Sequence, residues 1–440
     1  AVGIAPPTEA RSLGLGISSF VSLGNGADVS ANDLLQYWEE DDRTSVILLY
    51  LESFGNPRRF ARISKRVSRH KPIIAVKAGR TGAGRRAAGS HTAALAADDV
   101  ATEALFHQTG VIRADTLGEM FDLAAALSGQ PLPKGRRVAI LTNAGGLGIL
   151  CADACEANGL LVQEPNDEIK RQLRAFLPAA ASVGNPVDMI ASASAGDFRK
   201  AVEILLSDTA VDALIVLTID VGLTEISAID RSIRAGVAKV RDKDGAAKPV
   251  LTSFMDEDKL PKPTAAKHDR LPNFAFPENI SRVLGKLARY AEWRAEPEGI
   301  ILDFADIRPR EARALCQKAR RERGSTWLSG DETRQVLSAF NLPLPPGGIC
   351  HDENEAAAMA RQIGFPVALK LASHTIVHKT EMGGVRLNLT NEASVRQAFD
   401  EIRERLKGDG KLDEMDGVLV QPMISGGVEL MVGVTQDPLF

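Results

Sequence analysis

The sequence predicts an α/β protein: two doubly wound parallel-sheet domains followed by an α+β unit. Three observations carry this. Short, near-continuous apolar runs recur, among them SVILLYLES (45–53), KPIIAVKAG (71–79) and VDALIVLTID (211–220), as strands covered on both faces do. Helical stretches separate them, the alternation that builds parallel sheets with helices on each side. From about Ser329 the pattern changes to helices and a β-rich finish.

Taken in order, NPRRFARISKRVSRH reads as an amphipathic helix with Phe60, Ile63 and Val67 on its apolar side. A helix reaching about His107, a short strand in GVIRAD and the helix TLGEMFDLAAALSG complete a first domain, residues 1–131. The Pro/Gly segment QPLPKG (130–135) then marks a boundary. RRVAILTNAGGLGILCADACEANG reads as strand, glycine turn and helix, with Gly159 closing the helix. KPVLTSFM supplies another strand, and FPENISRVLGKLARYAEW ends the second domain, residues 132–295. The charged stretch 296–328 reads as a connecting helix and linker. The third unit, 329–440, carries DETRQVLSAF, ENEAAAMARQIG and the strand FPVALKLAS.

At 440 residues the chain has room for two to four domains. Hydrophobic residues make up 44 % and charged residues 25 %, as in ordinary soluble globular proteins. A net charge of −4 gives no reason to expect nucleic acid or an anionic membrane. Aromatic residues are only 5 %, too few for base-stacking platforms. No apolar run approaches the roughly 18–20 residues of a membrane span, and no signal peptide opens the chain. The four cysteines form no Cys-x-x-Cys pair, and Cys151 and Cys155 would share one helix face as buried free thiols. We therefore expect a cytoplasmic protein. Both ends look cut, so a piece of a longer protein is expected.

RRAAGSHTAALAADD (85–99) clears bulky side chains from around His91, after Arg80, Arg85 and Arg86. A core histidine sits among large apolar groups. A metal-bound one has Cys, His, Asp or Glu partners at short spacing, and here only Asp98 and Asp99 qualify. What remains is a histidine on a mobile loop that something anionic approaches closely. Glu52 ends an apolar strand at the carboxyl edge, where functional groups of parallel sheets collect, and His91 follows the neighbouring strand. A carboxylate on one imidazole nitrogen fixes the tautomer and leaves the other nitrogen as nucleophile. Gly89, Ser90, Ala93 and Ala94 would leave a channel for a phosphoryl group. A helix-cap or surface role for Glu52 fits the same residues. In TNAGGLG (142–148), Asn143, Ala144, Gly145 and Gly146 lie where a strand ends and a helix begins. Amides at such a helix head carry roughly half a positive charge and make a phosphate cradle. The segment is neither a Walker loop nor G-x-G-x-x-G, and a bare strand–helix turn can hold glycines for structural reasons.

LYLES, AVKAGRT, GSHTAALA, GVIRADTLGEMFDLA, TNAGGLGILCADACEANG and SVGNPVD resemble the acyl-CoA synthetases that form a nucleoside diphosphate, relatives of succinyl-CoA synthetase. The resemblance runs over nearly the whole chain. It implies two flavodoxin-like, succinyl-CoA ligase-like domains and the start of an ATP-grasp domain. It implies that His91 is phosphorylated by an acyl phosphate and passes the group to ADP, that Glu52 holds His91, and that the helix after Asn143 binds the phosphorylated loop. In the third unit it gives Lys370 the position of the lysine that binds nucleotide phosphates. On the residues alone, surface exposure explains that lysine equally well. Gln421, Met423 and Glu429 match the hinge strand against adenine and ribose, and His378, followed by Lys379 and Gly383-Gly384, matches a second phosphorylatable histidine. The substrates implied are an acyl-CoA or carboxylic acid, phosphate, CoA and ATP/ADP with Mg²⁺, and a homo-oligomer is expected. The usual CoA-binding domain and the ATP-grasp half that carries the Mg²⁺ carboxylates are absent from the residues given. The alternative is a non-catalytic sensing module of the kind fused to protein acetyltransferases. Such modules tend to lose the histidine, so His91, Glu52 and the Asn143 turn favour the enzyme.

Overall fold

The computed structural model describes residues 10, 13–24, 28–81, 83, 99–244, 247–255, 271–300, 302–324, 327–376 and 378–434. They form two compact units, one reaching to Glu298 and one spanning Gly299–Val434.

In the first unit β1 (Ile47–Leu51), β2 (Ile73–Lys77) and β3 (Ile112–Ala114) form a parallel sheet in that order. Its last β1–β2 pair is Leu51 with Lys77. Helices α1 (Ala31–Glu40), α2 (Pro57–Ser68) and α3 (Asp99–Thr109) supply Leu35, Phe60, Val67 and Phe106 to the core on one face. Their starts are written in the sequence: Asp33 accepts from both the amide and the hydroxyl of Ser30, and Asn56 caps the Arg59 amide at 3.0 Å, ahead of Pro57. Helix α4 (Leu117–Gly129) covers the other face.

A second parallel sheet has the order β5-β4-β6-β7, with β4 (Val138–Thr142), β5 (Val187–Asp188), β6 (Ala213–Thr218) and β7 (Val250–Phe254). Around it run α5 (Gly145–Ala157), α6 (Asp167–Arg174), α7 (Ala195–Ser207), α8 (Ile226–Asp244) and α9 (Pro277–Ala295). The strands are apolar at consecutive positions because both faces are covered. Ala139 and Leu141 pack with Phe198, Leu205 and Ile233, whereas Val138 and Ile140 turn the other way. There they join Ile74, Val76, Met120 and Phe121 of the first sheet and its helix, with Leu284 and Leu287 of α9, in one continuous core. Cys151 and Cys155 are buried in it as free thiols, beside the Ser281 hydroxyl.

Helix α9 also closes the seam between the sheets with polar groups. The Tyr290 hydroxyl donates to the Ser68 carbonyl at 2.6 Å. Arg69 lies over the Trp293 ring at 4.3 Å and donates to the carbonyls of Trp293, Arg294 and Glu296, satisfying the helix end. Gly110, at φ +70°, passes directly under the Trp293 ring, where no side chain fits.

In the second unit an antiparallel sheet runs β10-β9-β11-β8, from β8 (Gly348–Cys350), β9 (Val367–Ala372), β10 (Val385–Leu389) and β11 (Gly417–Pro422). Helices α12 (Glu353–Ile363) and α13 (Glu392–Gly408) cover one face, where Val367, Leu369, Leu371, Val418 and Val420 meet Ala360, Phe399 and Ile402. Within the stretch read as connecting, α10 (Pro309–Arg323) packs in this unit against α11 (Gly330–Ala339). Only Ala312 and Ala319 of α10 are buried, which leaves room for charge at more than half of its 15 positions.

Candidate functional site

The residues singled out in the sequence fall into three groups in the structure. The first is the carboxyl edge of the first sheet. Glu52 stands exposed just past β1. His91 lies outside the described residues, as do Arg85 and Arg86. Arg80 is spent on the protein itself: it pairs with Asp115 at 2.6 Å and approaches Asp99 at 3.8 Å. Its reason is therefore structural, and it is not held free for an anion. Asp99 also takes Arg113 at 2.6 Å, and Lys286 of α9 reaches Glu119 at 2.7 Å and Asp115 at 3.5 Å. Burial raises the Asp115 carboxyl, but the charges of Lys286, Arg80 and Arg113 outweigh it and hold the group below the usual range. The sequence reading passed over Lys77. It is 5 % exposed at the end of β2, and its ammonium donates to the carbonyls of Glu52 at 2.8 Å and Ala78 at 2.7 Å. Burial pushes it below the usual lysine range against the pull of the Glu52 and Asp99 charges.

The second group is the head of α5, at the carboxyl edge of the second sheet. The Asn143 side chain is not aimed outward. It receives the Ile219 amide and donates to the Ile219 carbonyl, both at 3.0 Å, and so ties the ends of β4 and β6 together. The Ala144 amide is bonded to the Thr142 hydroxyl at 3.0 Å. The amides of Gly145 and Gly146 head the helix with no protein acceptor among the described residues, as a first turn leaves them.

The glycines there have three separate reasons. A Cβ on Gly148 would press on Pro186 at 3.1 Å and Thr142 at 3.2 Å, so this glycine serves packing. A Cβ on Gly145 would lie 2.7 Å from an oxygen of Asp188, the last residue of β5. A Cβ on Gly146 would meet nothing within 4 Å among the described residues. Neither packing nor backbone angle demands that glycine, and it leaves the helix head open to a ligand. Asp188 also accepts the amide of Ile190 at 3.0 Å. Ile190 stands at φ +61°, strained for a β-branched residue, on the same edge. The NPVD segment was the only sequence signal for this carboxylate.

The third group lies in the second unit. Lys370 faces Leu419 across the β9–β11 pair, and Gln421 is two residues further along. Both lie on the sheet face that α12 and α13 leave uncovered, since the residues alternating with them fill the core. Met423 follows β11, its amide bonded to the Pro366 carbonyl at 2.9 Å. Glu429 lies in the exposed stretch beyond. Lys379 is half-buried, and burial, with the Lys370 charge adding to it, holds its ammonium below the usual range. Two neighbouring ammonium groups that lack enough opposite charge suit an anionic ligand. The His378 side chain is 79 % exposed, with Glu381 3.8 Å from its Nδ1. His374 is better held: its Nδ1 bonds the Asp416 carboxylate, whose backbone is fixed by the Ala372 carbonyl at 2.9 Å and by His351 at 2.9 Å.

Comparison with known proteins follows the same division. Residues 1–127 match the succinyl-CoA ligase like flavodoxin domain, 138–296 the Ligase-CoA domain and 318–440 the ATP-grasp domain. The ADP-forming acetate–CoA ligase I of Archaeoglobus fulgidus is 38 % identical over 429 residues, covering 97 % of this chain and 60 % of that protein. The ADP-forming 4-hydroxybutyrate–CoA ligase of Nitrosopumilus maritimus is 33 % identical over 435 residues, covering 98 % and 61 %. A solved structure of dinucleotide-forming acetyl-coenzyme A synthetase 1 from Ca. Korarchaeum cryptofilum, in complex with phosphate and ADP, superposes with a TM-score of 0.60. It is 32 % identical and covers 67 % of this chain and 63 % of that one. The chain thus spans 60–61 % of the length of these curated relatives.

Proposed function

The chain belongs to the family of NDP-forming acyl-CoA synthetases, and from that premise we propose that the full-length protein interconverts acyl-CoA, phosphate and ADP with a carboxylic acid, CoA and ATP. The observation that carries this reading is the run of all three domain types in one chain, 38 % identical to an ADP-forming ligase over 97 % of its length.

Phosphate attacks the thioester carbonyl, the C–S bond breaks, and CoA leaves with the phosphate's proton as the thiol. His91 then takes the phosphoryl group from the acyl phosphate and the carboxylate departs. The His91 N–P bond breaks as His378 takes the phosphoryl group, and finally the His378 N–P bond breaks as an oxygen of the ADP β-phosphate takes it. In this reading the Gly145 and Gly146 amides hold phosphoryl oxygens at a helix head, and Glu52 orients the His91 ring. Asn143 contributes by fixing the strand ends. Lys370 and Lys379 receive the nucleotide phosphates, Gln421, Met423 and Glu429 serve adenine and ribose, and His378 carries the phosphoryl group in the nucleotide-binding unit. Among the described residues no three His, Cys, Asp or Glu side chains converge as a metal site requires. We place the reaction in the cytoplasm, where CoA esters and nucleotides are found; no helix among the described residues is long and apolar enough to cross a membrane.

The test is to incubate full-length protein with a panel of acyl-CoAs, phosphate and ADP. ATP formation and acid-labile phosphorylation at His91 are followed by mass spectrometry. ATP with label at His91 is expected, and neither ATP nor acid-labile label with any acyl-CoA would overturn the reading.

A further inference from the structure

We propose that Lys77 is a positioning residue for Glu52: its ammonium ties the Glu52 carbonyl to the end of the neighbouring strand and so fixes where the carboxylate stands at the sheet edge. The inference rests on the reading of Glu52 as the group that orients the phosphorylated histidine.

The ladder between β1 and β2 ends at Leu51 and Lys77, with the Ala78 amide donating to the Leu51 carbonyl at 2.9 Å as its last bond. One residue later, Glu52 has left the ladder, and its carbonyl needs a new donor. The Lys77 side chain folds back over the strand end and supplies it at 2.8 Å, while the same ammonium holds the Ala78 carbonyl at 2.7 Å. One buried cation therefore pins both chains at the point where they part. Its charge lies near the Glu52 and Asp99 carboxylates, and its Nζ is 6.0 Å from the Phe54 ring centre.

Burying an ammonium is costly, and a neutral donor would suffice to close a strand end that carried no function. A lysine reaches two backbone carbonyls and adds a positive charge near the carboxylate of the residue whose carbonyl it holds. Glu52 is otherwise exposed, free to sample many positions, and a displacement of about 1 Å at a catalytic group can cost about 100-fold in rate.

The experiment is a single-turnover measurement of phosphorylation at His91 from ATP in full-length protein, the labelled site mapped by mass spectrometry, with Lys77→Met, Glu52→Gln and the double variant. Lys77→Met is expected to slow phosphorylation of His91 by about 10- to 100-fold with the ATP concentration for half-maximal rate unchanged. In the Glu52→Gln background the same substitution should cost nothing more, because Lys77 acts only through Glu52. Lys77→Arg keeps the charge without the compact head and should fall between. If Lys77→Met does not fold, the same cycle is run with Lys77→Arg. A normal rate in Lys77→Met, or a full additional loss on top of Glu52→Gln, overturns the proposal. A normal rate in Glu52→Gln alone overturns the underlying reading of Glu52 instead, so the two failures are distinguishable.

Discussion

Gly146→Ala should separate ligand binding from stability. The new Cβ would meet no atom of the described residues within 4 Å, and the residue is second in α5. Exchanging Gly for Ala at a position compatible with a helix stabilises by about 0.4–1 kcal/mol. The urea midpoint should therefore hold or rise. In the proposed reading, phosphate would approach the two helix-head amides from the side on which this methyl group stands. If it displaces a phosphoryl oxygen, each lost bond to the charged group removes about 1.5–3 kcal/mol, roughly 10- to 100-fold in affinity. The assay is ATP formation by the full-length protein as a function of phosphate concentration. The phosphate KM should rise by about 10-fold or more while the ADP KM is unchanged. Gly148→Ala is the contrast: its Cβ would press on Pro186 and Thr142, an overpacking that costs about 1–3 kcal/mol, and its midpoint should fall. Normal phosphate dependence in Gly146→Ala would show that the head of α5 is not the cradle.

Three other outcomes follow from the geometry. Asn143→Ala should destabilise by about 1–3 kcal/mol for each Ile219 group it leaves unpaired, read by urea unfolding; Asn143→Asp, which keeps the acceptor, should lose less. Lys379 has a folded pKa below its unfolded value, so the unfolded chain binds more protons and its penalty is fully present below the folded pKa. That penalty fades as pH rises through the folded pKa toward the ordinary lysine value. Lys379→Met should therefore stabilise the ligand-free protein near neutrality, with the gain shrinking at high pH and ATP protecting the variant less than wild type; an equal gain at every pH would refute this. His378→Ala should block ATP-dependent labelling of His91 while acyl-CoA and phosphate still label it. Normal ATP-dependent labelling would remove His378 from the relay, and label mapped to His374 in that variant would assign the carrier to the imidazole that Asp416 holds.

The strands and helices were legible because they rest on local pattern. IIAVK and ALIVLT are apolar at every position but the last, and the starts at Ser30 and Asn56 carry their caps within three residues. The three glycines of TNAGGLG look alike in sequence, yet Gly145 answers to Asp188 and Gly148 to Pro186, each from some 40 positions away, and Gly146 to no neighbour among the described residues. Asn143 read as a ligand for phosphate because its partner is Ile219, 76 residues on. Arg80 read as an attractor of anions because Asp115 is invisible to local spacing. Lys77 closes a run of buried residues, a placement that was legible in principle, since an ammonium at the end of an apolar strand must find a polar partner.

The seam made by α9 bears on how the molecule can be divided. The Pro/Gly stretch at 130–135 has the composition of a tether, but the hydrophobic core passes straight across it, and Tyr290, Lys286 and Arg69 fasten the far end. Mechanically the two parallel sheets are one block. The edge bearing Glu52 and the head of α5 thus belong to one packed unit with a shared core. A genetic cut at 130–135 would halve a core, whereas a cut after α9 would leave this block whole.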